Sequence, residues 1–146
     1  MPSQQLFHLI DEMLTEAGKL IPHYMQNNED ERIAHGNCAA CIIDEDGNVY
    51  GRLYGINKIR ARESYRVAWT KASQVWITGL KTGEYEKKFF NGEVTECGIE
   101  VPDLIGWEGG QPLTLKDGTR LSVGFSGIRG IYDLEIMVKA LQVVEG

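Results

Sequence analysis

Apolar residues recur at helical spacing from the start of the chain. Leu6, Ile10, Met13, Leu14, Ala17 and Ile21 share one face, and Asp11, Glu12, Glu16 and Lys19 lie mostly opposite. The pattern predicts an amphipathic helix that Ser3 caps and that ends near Pro22, where proline removes a backbone donor. The polar stretch Gln26–Arg32 reads as a solvated loop or a frayed continuation of that helix. Asn37–Ile43 is a compact apolar run, followed by the turn signal Asp44-Glu45-Asp46-Gly47-Asn48 and an alternating return strand, Val49–Gly55. Spacings of three and four return at Tyr65, Ala68, Trp69, Ala72, Val75 and Trp76, which predicts a second helix over about Ala61–Leu80. A short helix, Glu84–Phe90, closed by Asn91-Gly92, comes next. Glu93–Gly110 shows little periodicity, and a connection of that length in a compact domain is more often functional than idle, the alternative being a cover for an edge strand.

A second hairpin follows. Pro112–Leu115 and Arg120–Phe125 flank Lys116-Asp117-Gly118-Thr119, and Asp-Gly between apolar runs is a strong hairpin signal because glycine tolerates the positive φ of a tight turn. Glycines at 109, 110, 124 and 127 imply that the backbone passes close to another element or a ligand there. A last helix is predicted over about Ile131–Val144, with Asp133 and Glu135 in the first turn, where the helix dipole favours negative charge. Two hairpins separated by helices predict an α+β fold, an antiparallel sheet with helices packed on it.

Composition narrows the function classes. The 146 residues are 42% hydrophobic and 25% charged, as expected for one soluble domain spanning 1–146. A net charge of −6 argues against general nucleic-acid binding, and no apolar run approaches the length of a membrane span. With three cysteines, and without the basic-then-apolar pattern of a secretion signal, a cytoplasmic location is expected.

Four short stretches carry a resemblance. They are Cys41-Ile42-Ile43-Asp44-Glu45-Asp46-Gly47, Ala68-Trp69-Thr70-Lys71-Ala72, Gly109-Gly110-Gln111-Pro112 and Val123-Gly124-Phe125-Ser126-Gly127, with Asp133 opening the last helix. In this order they resemble the haem-degrading HbpS-like family, which includes GlcG-type proteins and the C-terminal domain of PduO. The resemblance implies an α-β-α, profilin-like sandwich, a homo-oligomer, and haem or a related carboxylated ring compound as the candidate ligand. The chain departs from the family at Gly55–Arg62, where a Met-Asp-Gly-Ala-rich stretch is usual, and at the bulky Trp69 and Trp76.

Several residues are candidates for chemistry. Arg52, Lys58, Arg60, Arg62, Arg66 and Lys71 cluster with only Glu63 to oppose them. Arg60, Arg62 and Arg66 would hold a carboxylate or haem propionates, because guanidinium pairs bidentately with such groups; the alternative is a solvated helix face or pairing with Asp44, Glu45 and Asp46. Lys71 is either a desolvated base or nucleophile, matched by the family's lysine, or a side chain snorkelling to water. On an enzymatic reading, Lys71, Glu63, Asp44 or a tyrosine would handle protons. Tyr65, Trp107 and Phe125 would line an apolar pocket under the Gly109-Gly110 turn, or else serve as core or as an oligomer interface; Ser126 is a further candidate ligand contact. His8, beside the apolar stripe of the first helix, is a candidate haem ligand. Cys38 and Cys41 form a C-x-x-C, but alternation along a strand sends them to opposite faces, so no metal site is expected. Three functions are compatible with these residues: a small-molecule or haem-binding protein, a cofactor-independent enzyme acting on a small carboxylated metabolite, and an accessory subunit without a ligand.

Overall fold

The computed structural model describes residues 1–94, 97–99 and 105–146. Its elements are α1 (Ser3–Tyr24), α2 (Asn28–Ala34), β1 (Ala39–Ile43), β2 (Val49–Leu53), α3 (Lys58–Thr78), α4 (Glu84–Phe90), β3 (Gly110–Thr114), β4 (Arg120–Ser126) and α5 (Gly130–Glu145). The four strands form one antiparallel sheet in the order β2-β1-β4-β3. Each predicted hairpin supplies a neighbouring pair, and the two are joined through β1 and β4 at the centre, with Cys41 opposite Gly124.

The pleat divides the core into two layers. Ala40, Ile42, Leu121, Val123 and Phe125 face α1 and α5, where Ile10, Met13, Leu14, Ala17, Ile136, Met137 and Ala140 cover them. Ala39, Cys41 and Ile43 face the other way, onto Ala68 and Ala72 of α3. β1 is thus buried on both faces, which explains its unbroken apolar run. The result is the α-β-α sandwich implied by the resemblance.

The stretch expected to be a solvated loop or a frayed continuation of α1 forms most of a separate helix, α2. Asn27 caps it, accepting a hydrogen bond from the Glu29 N–H, and Glu29, Asp30 and Glu31 fill its first turn. A cap followed by acidic residues is a helix-start signal, and here it outweighs the polarity of the segment. At α1, Pro2 rather than Ser3 takes the cap position, and the helix runs past Pro22 to Tyr24. Helix α3 starts three residues earlier than predicted because Asn57 caps it through the Arg60 N–H.

The packing of α3 on the sheet depends on Gly124. A Cβ there would lie 2.2 Å from the Ala68 carbonyl oxygen and 2.8 Å from the Ala72 nitrogen. The bare backbone of β4 therefore lets the helix rest directly on the strand.

Candidate functional site

Helix α3 has a flank turned away from β2, and on it Arg60, Ser64, Val67 and Lys71 follow one another at helical spacing. This flank forms one wall of a cleft of about 710 Å³, within the usual range for small-molecule sites. Ile33 and Ala34 of α2, Gly106-Trp107-Glu108, and Ser126 to Ile131 with Asp133 complete the lining.

The base of the cleft is a buried ion pair. Lys71 and Asp133 expose only 2% and 3% of their surfaces. Lys71 Nζ donates to Asp133 Oδ2 at 3.2 Å and to the Phe125 carbonyl at 2.9 Å. Asp133 Oδ1 accepts from the Ile128 N–H at 3.0 Å. Both carboxylate oxygens are thereby fixed. Burial pushes the Asp133 carboxyl up to about 7, against the opposing pull of the Lys71 charge and the Ile128 N–H.

Three glycines make room for this lysine. A Cβ at Gly109 would come within 2.5 Å of Lys71 Nζ, and one at Gly110 or Gly124 would come within 3.1 Å of Lys71 Cβ. The close approach implied by the glycine-rich hairpin is an approach to Lys71. Gly109 also has φ +127°, a conformation that side chains rarely adopt.

Two guanidinium groups stand in the wall. Arg129, the residue before α5, donates from Nε and Nη2 to the buried Asp30, at 3.0 and 3.3 Å, and its backbone N–H also reaches Asp30. Asp30 raises the Arg129 pKa further through these bonds. Arg60 donates from Nη2 to the Ile33 carbonyl. In each case Nη1 makes no hydrogen bond among the described residues and remains available to a ligand. Trp107 and Ile131 expose 66% and 64% of their surfaces at the same cleft, leaving an apolar wall open to solvent.

The structure distributes the sequence candidates unevenly. Arg60, Lys71, Trp107 and Ser126 line the cleft, while Gly109 and Gly110 lie behind its base. Arg62 and Arg66 lie outside it, exposed and paired with Glu63 at 3.7 and 3.3 Å. Glu63 therefore sits among surface arginines and does not face Lys71. Tyr65 packs over Gly51 and directs its hydroxyl to Cys41 Sγ on the β2 side of α3. The Phe125 ring is buried in the core beneath α1 and α5, so only its carbonyl reaches the cleft region. His8 is exposed on α1, edge-on to Phe7, and is not part of the cleft lining. Cys38 and Cys41 are unpaired and occupy opposite layers, and burial pushes their thiols up to about 12 and about 11. No group of His, Cys, Asp or Glu among the described residues forms a metal site.

Sequence alone does not single out Asp30, Arg129 or Ile131 as site residues. Asp30 was hidden in a charged segment, although the Asn27 cap marks its helix. Arg129 stands between the Gly127-Ile128 bend and the first residue of α5, where only the tertiary fold gives it a partner.

No family model and no curated protein matches the chain by sequence. Solved structures do match. HbpS aligns with 20% identity over 92% of this chain and 88% of its own, at a TM-score of 0.54. The chain has the HbpS-like fold. The haem complex of PduOC gives 18% identity, coverage of 97% and 93%, and a TM-score of 0.59. Klebsiella pneumoniae protein ORFY, of family model DUF336, gives 17% identity, coverage of 89% and 88%, and a TM-score of 0.57. The HbpS-like sandwich places β1 and β4 at its centre here, with the cleft beside the C-terminal end of β4. No helix among the described residues is long and apolar enough to cross a membrane.

Proposed function

We propose that this chain is a divergent HbpS-like protein that binds a flat, largely apolar small molecule through its carboxylate groups, with haem as a candidate. The supporting observation is the cleft wall, in which Arg60 and Arg129 stand beside the exposed faces of Trp107 and Ile131. The guanidinium groups would take the carboxylates, and the ring would lie on the indole. Charge-assisted bonds of this kind contribute about 1.5–3 kcal/mol each. The structures of HbpS and of the PduOC haem complex supply the fold-level analogy. Haem, if bound, would contribute iron redox chemistry; this chain's part is to bind its propionates and shield one face.

Haem titration tests the reading. A Soret shift at micromolar haem that weakens at least tenfold in Arg60→Ala is expected. No spectral change with haem, together with no binding of other aromatic carboxylates by calorimetry, would overturn it.

The Lys71–Asp133 pair favours a second reading, a cofactor-independent enzyme working on a small carboxylated metabolite in the same cleft. Buried ion pairs add little to stability relative to apolar packing, so the placement of this one at the base of an open cleft supports a chemical role. Self-association and a cytoplasmic location are further parts of the proposal. The apolar surface at Val49, Trp69, Trp76 and Ile77 would serve a second copy or, on the accessory-subunit reading, another partner.

A further inference from the structure

Lys71 is an amine held at the base of a cleft that also presents cations. Its stem is sheathed by Gly109, Gly110 and Gly124, and any side chain at Gly109 would occupy the space of Nζ itself. Its partner carboxylate is locked by the Ile128 N–H on one oxygen, leaving Oδ2 alone to exchange a proton with Nζ at 3.2 Å. Arg60 and Arg129 lie in the walls of the same cleft. An amine, an adjacent proton carrier and a carboxylate holder are the parts required to condense with a carbonyl compound that bears a carboxylate.

We propose that Lys71 forms a Schiff base with a 2-oxo acid, with Asp133 as its proton carrier and Arg60 and Arg129 holding the substrate carboxylate. This rests on the cleft being the ligand site, and it names the substrate class. The Lys71 ammonium passes a proton to Asp133 Oδ2. The free amine attacks the carbonyl carbon, the C–N bond forms, and the former carbonyl oxygen takes a proton from the nitrogen to give a carbinolamine. Asp133 then returns its proton to that hydroxyl. Water leaves, the nitrogen lone pair closes the C=N bond, and the protonated imine stands beside the Asp133 carboxylate. One water is released, and no oxidant or reductant is consumed. A carboxyl raised by burial is suited to both halves of this exchange.

The test is reductive trapping on the full chain with pyruvate and cyanoborohydride, read by peptide mass spectrometry, alongside ligand-observed NMR of pyruvate binding. Lys71 is expected to acquire the reduced adduct at least tenfold faster than exposed Lys58, although a buried amine would otherwise react more slowly. Acetone, lacking the carboxylate, is expected to label Lys71 far less. Asp133→Asn is expected to slow labelling about 100-fold while pyruvate still binds. Lys71→Arg, which retains the charge, checks that the label is lost without loss of the fold. Pyruvate binding without a Lys71 adduct overturns the Schiff base and leaves the cleft reading standing. Absence of binding by pyruvate and by larger aromatic carboxylates overturns both.

Discussion

Gly124→Ala isolates the contact that seats α3, and with it the cleft wall. The new Cβ would meet the Ala68 carbonyl oxygen at 2.2 Å, about 0.8 Å inside the 3.0 Å limit that real side chains respect. The neighbour is helix backbone, which cannot rotate aside. α3 must therefore retreat from the strand, opening a gap along Ala39, Cys41, Ala68 and Ala72. A gap of 0.5–1 Å forfeits about a quarter to a half of each dispersion contact. Adding this to the ordinary cost of overpacking gives a loss of about 3 kcal/mol. In urea, with a slope of about 2 kcal/mol per molar, the midpoint is expected to fall by about 1.5 M. Gly118→Ala is the control, since φ is +91° there but nothing lies within 4 Å of the added Cβ. It carries only left-handed backbone strain, about 1 kcal/mol, and a midpoint shift of about 0.5 M. Should Gly124→Ala prove no more destabilising than Gly118→Ala, close packing of α3 on β4 is not what holds this layer.

Further expectations follow from the cleft. Lys71→Met leaves Asp133 Oδ2 and the Phe125 carbonyl buried without their donor and is expected to cost about 1–3 kcal/mol for each in urea unfolding. Because burial raises Asp133 to about 7 from the ordinary 3.8, its contribution is fully present below about pH 4 and is lost as pH rises through about 7. The stability of Asp133→Asn relative to the native chain should therefore climb across pH 4–7 and level off above; a flat difference would refute the assignment. Arg62→Ala and Arg66→Ala are expected to change ligand affinity less than about twofold, because exposed pairs contribute 0–1 kcal/mol and neither side chain lines the cleft. Of the three tryptophans only Trp107 lines this cleft, so ligand-induced quenching of fluorescence should vanish in Trp107→Phe and persist in Trp69→Phe.

The sheet was legible in the sequence because its turns are local. Asp46-Gly47 and Asp117-Gly118 mark both hairpins, and β1 reads as buried without tertiary information. The site was legible only in part, since its pieces meet across the fold. Lys71 and the glycines that sheathe it stood out, yet that they belong together depends on α3 lying across β4. The arginine cluster misled because helical spacing separates it. Arg60 faces the cleft, while Arg62 and Arg66 turn away. Phe125 and Ser126 alternate across β4, so an aromatic pocket that includes the Phe125 ring conflicts with the pleat itself. Asp30 and Arg129, 99 residues apart, carry no local signal of their pairing.

That last pairing gives α2 a larger part than its seven residues suggest. Asp30 aims one guanidinium and the Ile33 carbonyl tethers the other, so a single short segment is the common anchor of both positive arms. A helix this brief has little stability of its own and depends on its docking and on the Asn27 cap. Unfastening it would disarm both arms together while leaving the lysine beneath untouched. Affinity for acidic ligands would thus respond to the integrity of a piece of chain that closes only the rim of the cavity.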